Sequence, residues 1–232
     1  MAVVVGLKEK VHLPLYDAFV VPGPTQTFGE AVGIGQIISF FVDIQYKTKL
    51  ETNLSATGVL PHYHSFEVRA MRVVLSPPAL NTLLRDHYSD ILDAAGRATW
   101  FRERAEWDIS AFGDFLDNLL ITVHERAALA LAQLIYSSVI SLIVGEKVMI
   151  EMPTFWFPGG AGVSPGNGFA ANHGNPDPQA TFRFAEPVFI EARQNFRVEM
   201  SFPHGLPLEL AALPGPLRLW LILDGYLTRA VQ

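Results

Sequence analysis

The sequence predicts a mainly β protein, an antiparallel β-sandwich, on three observations. Two C-terminal stretches alternate strictly. Phe196, Val198, Met200 and Phe202 stand against Arg197, Glu199 and Ser201, and Leu217, Leu219, Leu221 and Leu223 stand against Arg218, Trp220 and Ile222. A period of two places each set on one face of a strand. Sixteen Pro and eighteen Gly supply the turns that many strands require. Half of the 232 residues are hydrophobic and 17% are charged, so the chain can bury a sizeable core.

The first 35 residues, with Pro22, Gly23, Pro24, Gly29, Gly33 and Gly35, read as an irregular N-terminal arm with a short strand at Ala18–Val21. Residues 36–232 then read as a single sandwich domain. Ile38–Tyr46 alternates, with Ile38, Phe40, Val42, Ile44 and Tyr46 on one face, and predicts a half-buried strand. Lys47–Pro61 is polar and reads as an extended loop. Phe66–Leu75 is the next strand, with a change of phase near Ala70–Met71 that predicts a bulge.

A helical insertion spans 77–126. Its clearest part is an amphipathic helix over 77–95, capped by Ser76, opened by Pro77 and closed by Gly96. Leu80, Leu83, Leu84, Tyr88, Ile91, Leu92 and Ala95 share one face of it. Residues 98–126 carry no decisive pattern. Ala127–Gly145 lacks charge, but its serines and the β-branched half Tyr136–Val144 favour a doubly buried strand over a membrane span. Gly145-Glu146-Lys147 between Tyr136–Val144 and Val148–Met152 predicts a hairpin. A long loop over 153–180 follows, then strands at Thr181–Phe184 and Pro187–Glu191.

Composition narrows the function. The formal net charge of −6 argues against direct nucleic-acid binding, which rests on Lys and Arg neutralising phosphates. The absence of Cys removes disulfides, thiolate nucleophiles and Cys-based zinc sites. Met1–Leu7 is apolar but short and no charge precedes it, so the expectation is a protein made without a signal peptide, inside a cell of a microbial system.

Motifs with chemical meaning are few. Gly162-Val163-Ser164-Pro165-Gly166 matches a nucleophile elbow in letters. Pro165, however, has no N–H to give to an oxyanion, and the motif reads as a glycine-rich loop. His62 and His64 share a strand face if that segment is extended, and with Glu67 they suggest a metal site of the cupin kind. Glu67 lies at odd spacing, on the opposite face unless a bulge intervenes. Glu103 with Glu106, and Asp114 with Asp117, read as solvated surface. Asn53-Leu54-Ser55 fits a glycosylation acceptor by pattern alone. The run Phe155-Trp156-Phe157 is the most unusual local feature. If extended, Trp156 faces away from Phe155 and Phe157, so either one side packs inward and the other is offered to a partner, or the run packs into the core beneath a loop. These three residues and Trp220 are the interface candidates. No catalytic residue and no cofactor is expected.

Several segments together resemble the jelly-roll capsid proteins of tailless icosahedral double-stranded-DNA bacteriophages. They are Phe40-Phe41-Val42-Asp43, Lys47–Asn53, Phe66-Glu67-Val68-Arg69-Ala70, Pro158-Gly159-Gly160-Ala161-Gly162 and Leu223-Asp224-Gly225-Tyr226-Leu227-Thr228-Arg229. The resemblance covers about half the chain. It implies a single jelly roll of about eight strands, a structural virion protein that assembles with itself in the host cytoplasm, and no catalysis. The implied partners are further copies, other virion proteins and, given the acidic balance, an internal membrane. Two other expectations stand beside it: a cupin-like metal-dependent enzyme using His62 and His64, and a receptor-binding or lectin-like sandwich module of a virion.

Overall fold

A computed structural model describes residues 8–23, 25–33, 36–76, 132–160 and 177–230. Its strands form two antiparallel sheets around one core. The N-terminal segment expected as an irregular arm is instead built into the first sheet. β1 (Lys8–His12) and β2 (Leu15–Val21) both pair with β9 (Leu217–Ala230), with Lys8 opposite Ala230, His12 opposite Tyr226, Leu15 opposite Leu223 and Val21 opposite Leu217. The register is the same throughout, so β1 and β2 are one edge strand interrupted at Leu13-Pro14. Pro14 has no N–H to give a ladder, and an edge tolerates that loss.

On its other side β9 pairs with β4 (Ser65–Leu75), and β4 pairs with β7 (Arg183–Ile190), which closes the first sheet. The bulge expected in β4 falls between Val68 and Ala70, at Arg69. Gly225 sits opposite Val68, where a Cβ would lie 1.9 Å from the Glu67 carbonyl oxygen. β7 joins what sequence pattern divided into two strands. Pro187 does not break it, because β7 is an edge and one flank has no ladder to supply.

The second sheet runs β3 (Ile37–Phe40), β8 (Phe196–Ser201), β5 (Val139–Val144), β6 (Lys147–Pro153). β3 is shorter than the strand expected over Ile38–Tyr46. Phe41 and Tyr46 take positive φ, 68° and 63°, and the chain leaves the sheet. Phe41 is held there by its N–H donating 2.7 Å to the buried Asp17 carboxylate, which also receives Lys47 Nζ at 2.9 Å. Val42 and Tyr46, expected inside, are exposed.

β5 begins at Val139, not Tyr136. Residues 132–137 are helical, and Ser137 and Ser138 turn their hydroxyls back onto the carbonyls of Gln133 and Leu134. No helix among the described residues is long and apolar enough to cross a membrane. The β5–β6 hairpin turns through Gly145, at φ 61°, and Glu146. A short α1 (Phe28–Val32) starts in a capping box between Thr27 and Glu30 and buries Phe28, while α2 (Leu208–Ala211) packs beside α1.

The core lies between the sheets. Leu217, Leu219, Leu221, Leu223, Phe66, Val68 and Ile190 from one meet Ile38, Phe40, Ile140, Leu142, Val198 and Met200 from the other. The first half of the outer face of β9 is partly covered by the chain itself. Trp220 donates its indole N–H 2.9 Å to the Leu50 carbonyl, Arg218 reaches Glu51, and Tyr16 donates to the Lys49 carbonyl. Ser76 accepts the Arg218 N–H at 2.8 Å on its hydroxyl and donates its own N–H to the Arg218 carbonyl, which prolongs the β4–β9 ladder. The expected helix over 77–95, residues 98–126 with the Glu103–Glu106 and Asp114–Asp117 pairs, and the Gly162–Gly166 motif lie outside the described residues.

Candidate functional site

The aromatic run leaves β6 at Pro153 and enters a single 3-10 turn, Thr154–Trp156, so its side chains do not alternate as an extended strand's would. The turn is pinned from inside. Buried Thr154 donates its N–H 3.0 Å to the Ser138 carbonyl, and the two hydroxyls lie 2.6 Å apart. Phe157 is 1% exposed, and its carbonyl accepts the Val73 N–H at 3.2 Å, tying the run to β4. Phe155 and Trp156, 48% and 46% exposed, both reach solvent.

Around them stand further rings. Tyr136 and Phe155 have centroids 6.1 Å apart at 30°, and Phe155 and Trp156 6.1 Å apart at 31°, a row of three tilted rings. Phe182 closes the end, edge-on to Trp156 at 5.2 Å and to Phe157 at 6.1 Å. Between them opens a cleft of about 400 Å³ lined by Phe155, Trp156, Pro158, Gln179, Thr181 and Phe182. The far wall is set by a turn at 177–180. Asp177 donates its N–H 3.0 Å to the Gly160 carbonyl and receives the Gln179 N–H at 2.8 Å. Among the described residues that line it none is ionisable, which suits a neutral ligand with an apolar face.

The metal candidates do not converge. His62 lies in an exposed turn before β4, stacked on Tyr63 at 3.8 Å, and His64 directs Nδ1 to the His62 carbonyl. Glu67 is in β4, its carboxylate held by Lys10 and Arg69. Those partners, Lys10 first, keep its pKa below the ordinary glutamate value. Among the described residues no three His, Asp or Glu side chains gather as a metal site would need.

Glu67 instead anchors a charged network across the outer face of β1, β9 and β4. Lys10 and Arg69 flank the Tyr226 ring, 5.0 and 5.1 Å from its centroid. His12 meets Asp224 at 2.8 Å, and Arg72 approaches the same carboxylate at 3.7 Å. Lys10, Arg69 and Arg72 each face a carboxylate, and Lys10 and Arg69 a ring as well, which suits a cross-braced surface.

Of the four interface candidates, then, Phe155 and Trp156 are offered to solvent, Phe157 is in the core, and Trp220 is partly covered by the loop at Leu50. Sequence reasoning missed Gln179, Thr181 and Phe182 as neighbours of the run. Only the closure of Gly160 onto Asp177 brings them there, and no local pattern encodes it. Comparison with known families, with curated proteins and with solved structures finds no match to this chain.

Proposed function

We propose that this chain is a structural virion protein, the main subunit of an icosahedral shell, built as a single jelly roll and assembling with itself. The observation that carries the reading is the strand order. Counting β1 and β2 as one strand, the eight strands of the described residues run 1-8-3-6 in the first sheet and 2-7-4-5 in the second. The pairs 1 with 8, 2 with 7, 3 with 6 and 4 with 5 are those of one long antiparallel hairpin. Rolling that hairpin so that 8 meets 3 and 7 meets 4 gives two sheets with a shared core, the arrangement of capsid, lectin and cupin domains.

Within that group the resemblance of the strand segments favours the shell subunit. The cupin reading loses its geometric support, because His62, His64 and Glu67 point to different places. The net charge of −6 favours a shell whose inner surface meets an internal membrane or other virion proteins, not the genome itself. Light scattering and electron microscopy of the purified chain test the proposal. Closed particles or large multimers are expected, and a strictly monomeric protein at high concentration overturns it.

A further inference from the structure

We infer that the cleft between Phe155, Trp156 and Phe182 is a binding site for a neutral saccharide. The inference stands apart from the shell reading, since it rests on the walls of one subunit.

The chemistry of the walls selects the ligand. A pyranose ring has an apolar face of C–H bonds and an edge of hydroxyls. Exposed aromatic rings, with electron-rich faces, match the first. Phe155 and Trp156 present such rings about half exposed, and Phe182 stands edge-on behind Trp156. Hydroxyls need groups that both donate and accept. A Gln amide and a Thr hydroxyl each do so. Among the described residues neither the Gln179 amide nor the Thr181 hydroxyl has a hydrogen-bond partner, and both line the cleft.

Charge on the described walls argues against the competing classes. A phosphate or carboxylate ligand needs a cation and an amine needs a carboxylate, yet among the described residues none that lines the cleft carries either. Single-stranded nucleic acid also stacks on aromatic rows, but it needs a positively charged groove. Size agrees: about 400 Å³ lies at the lower end of small-molecule sites and suits one or two sugar rings. Tyr136, 77% exposed and next in the row beyond Phe155, extends the platform for a second ring.

The test is titration of the full chain with glucose, galactose, mannose, N-acetylglucosamine, lactose and maltose, by calorimetry and saturation-transfer NMR. At least one should bind saturably, with a Kd of about 0.1–10 mM as befits an open cleft. Trp156→Ala should weaken it roughly tenfold or more and Gln179→Ala several-fold, both with unchanged circular dichroism, while Phe189→Ala, exposed at the far end of β7 from Phe182, leaves it intact. Absence of saturable binding by every sugar overturns the inference, as does binding indifferent to both cleft substitutions. Loss of self-association in Trp156→Ala without sugar binding by the parent chain also overturns it, and assigns the cleft to a contact between copies. Particle formation is read on the same samples, so failure of sugar binding and failure of assembly are distinguishable.

Discussion

Two residues in neighbouring strands show how closely the first sheet is specified. Gly225 faces the bulge at Arg69 so tightly that any Cβ meets the Glu67 carbonyl oxygen at 1.9 Å. That contact is with backbone, so no rotamer change relieves it. Gly225→Ala is expected to destabilise the chain by about 3 kcal/mol, as overpacking at a rigid site does. A denaturant midpoint equal to the parent's would refute this. Glu67 itself makes stability depend on pH. Its folded pKa is lowered, chiefly by Lys10 and then by Arg69. A lowered folded pKa means that the stabilisation is complete above the unfolded value of about 4.3 and is lost as pH falls below it through the folded value. The parent should therefore exceed Glu67→Gln in urea midpoint at pH 7, and the gap should close at pH values below the folded pKa. A gap independent of pH would remove the role given to this carboxylate.

At the scale of elements, the strands that sequence pattern located best are those with one buried face and no special backbone. Phe196–Ser201 and the start of β9 keep a strict alternation of buried and half-buried residues, so period two was enough. The end of β3 was not legible. Ile38, Phe40, Val42, Ile44 and Tyr46 continue the pattern on paper, but Asp17, 24 positions earlier, takes the Phe41 N–H and turns the chain away. Tyr136 likewise looked like strand, and the Ser137 and Ser138 hydroxyls bind carbonyls of a helical turn instead. Pro187 looked like a boundary because its tolerance depends on β7 being an edge. For the cleft, Phe155-Trp156-Phe157 was visible in sequence, whereas which ring is buried depends on a 3-10 turn fixed by Ser138 and Thr154. Asp17 supplies the test at this scale. Its carboxylate is buried, and removing it leaves Lys47, itself largely covered, without its partner. Asp17→Ala should cost about 3–5 kcal/mol. It should also speed hydrogen exchange at Phe41 while sparing β8, whose ladder to β5 does not involve the loop. Uniform loss of protection across both sheets would show that Asp17 holds more than the loop.

For the molecule as a whole, the decisive fact is that one core joins the two sheets. Phe40 lies in the second sheet and Leu221 in the first, and both are completely buried. If the sheets were separate folding units, truncating one side chain would lower one transition only. With a shared core, Phe40→Ala and Leu221→Ala should each lower a single transition by about 3–5 and 2–5 kcal/mol respectively. Indole fluorescence and far-ultraviolet dichroism should lose signal at the same denaturant concentration. Two separated transitions would overturn the shared-core account. Assembly adds a second, independent dependence. A partner that binds only the folded subunit raises its apparent stability by mass action. The unfolding temperature of a shell-forming chain should therefore rise with protein concentration, and the same two substitutions should lower it at every concentration. A midpoint constant across a hundredfold dilution would leave the core argument untouched and count directly against a self-assembling subunit.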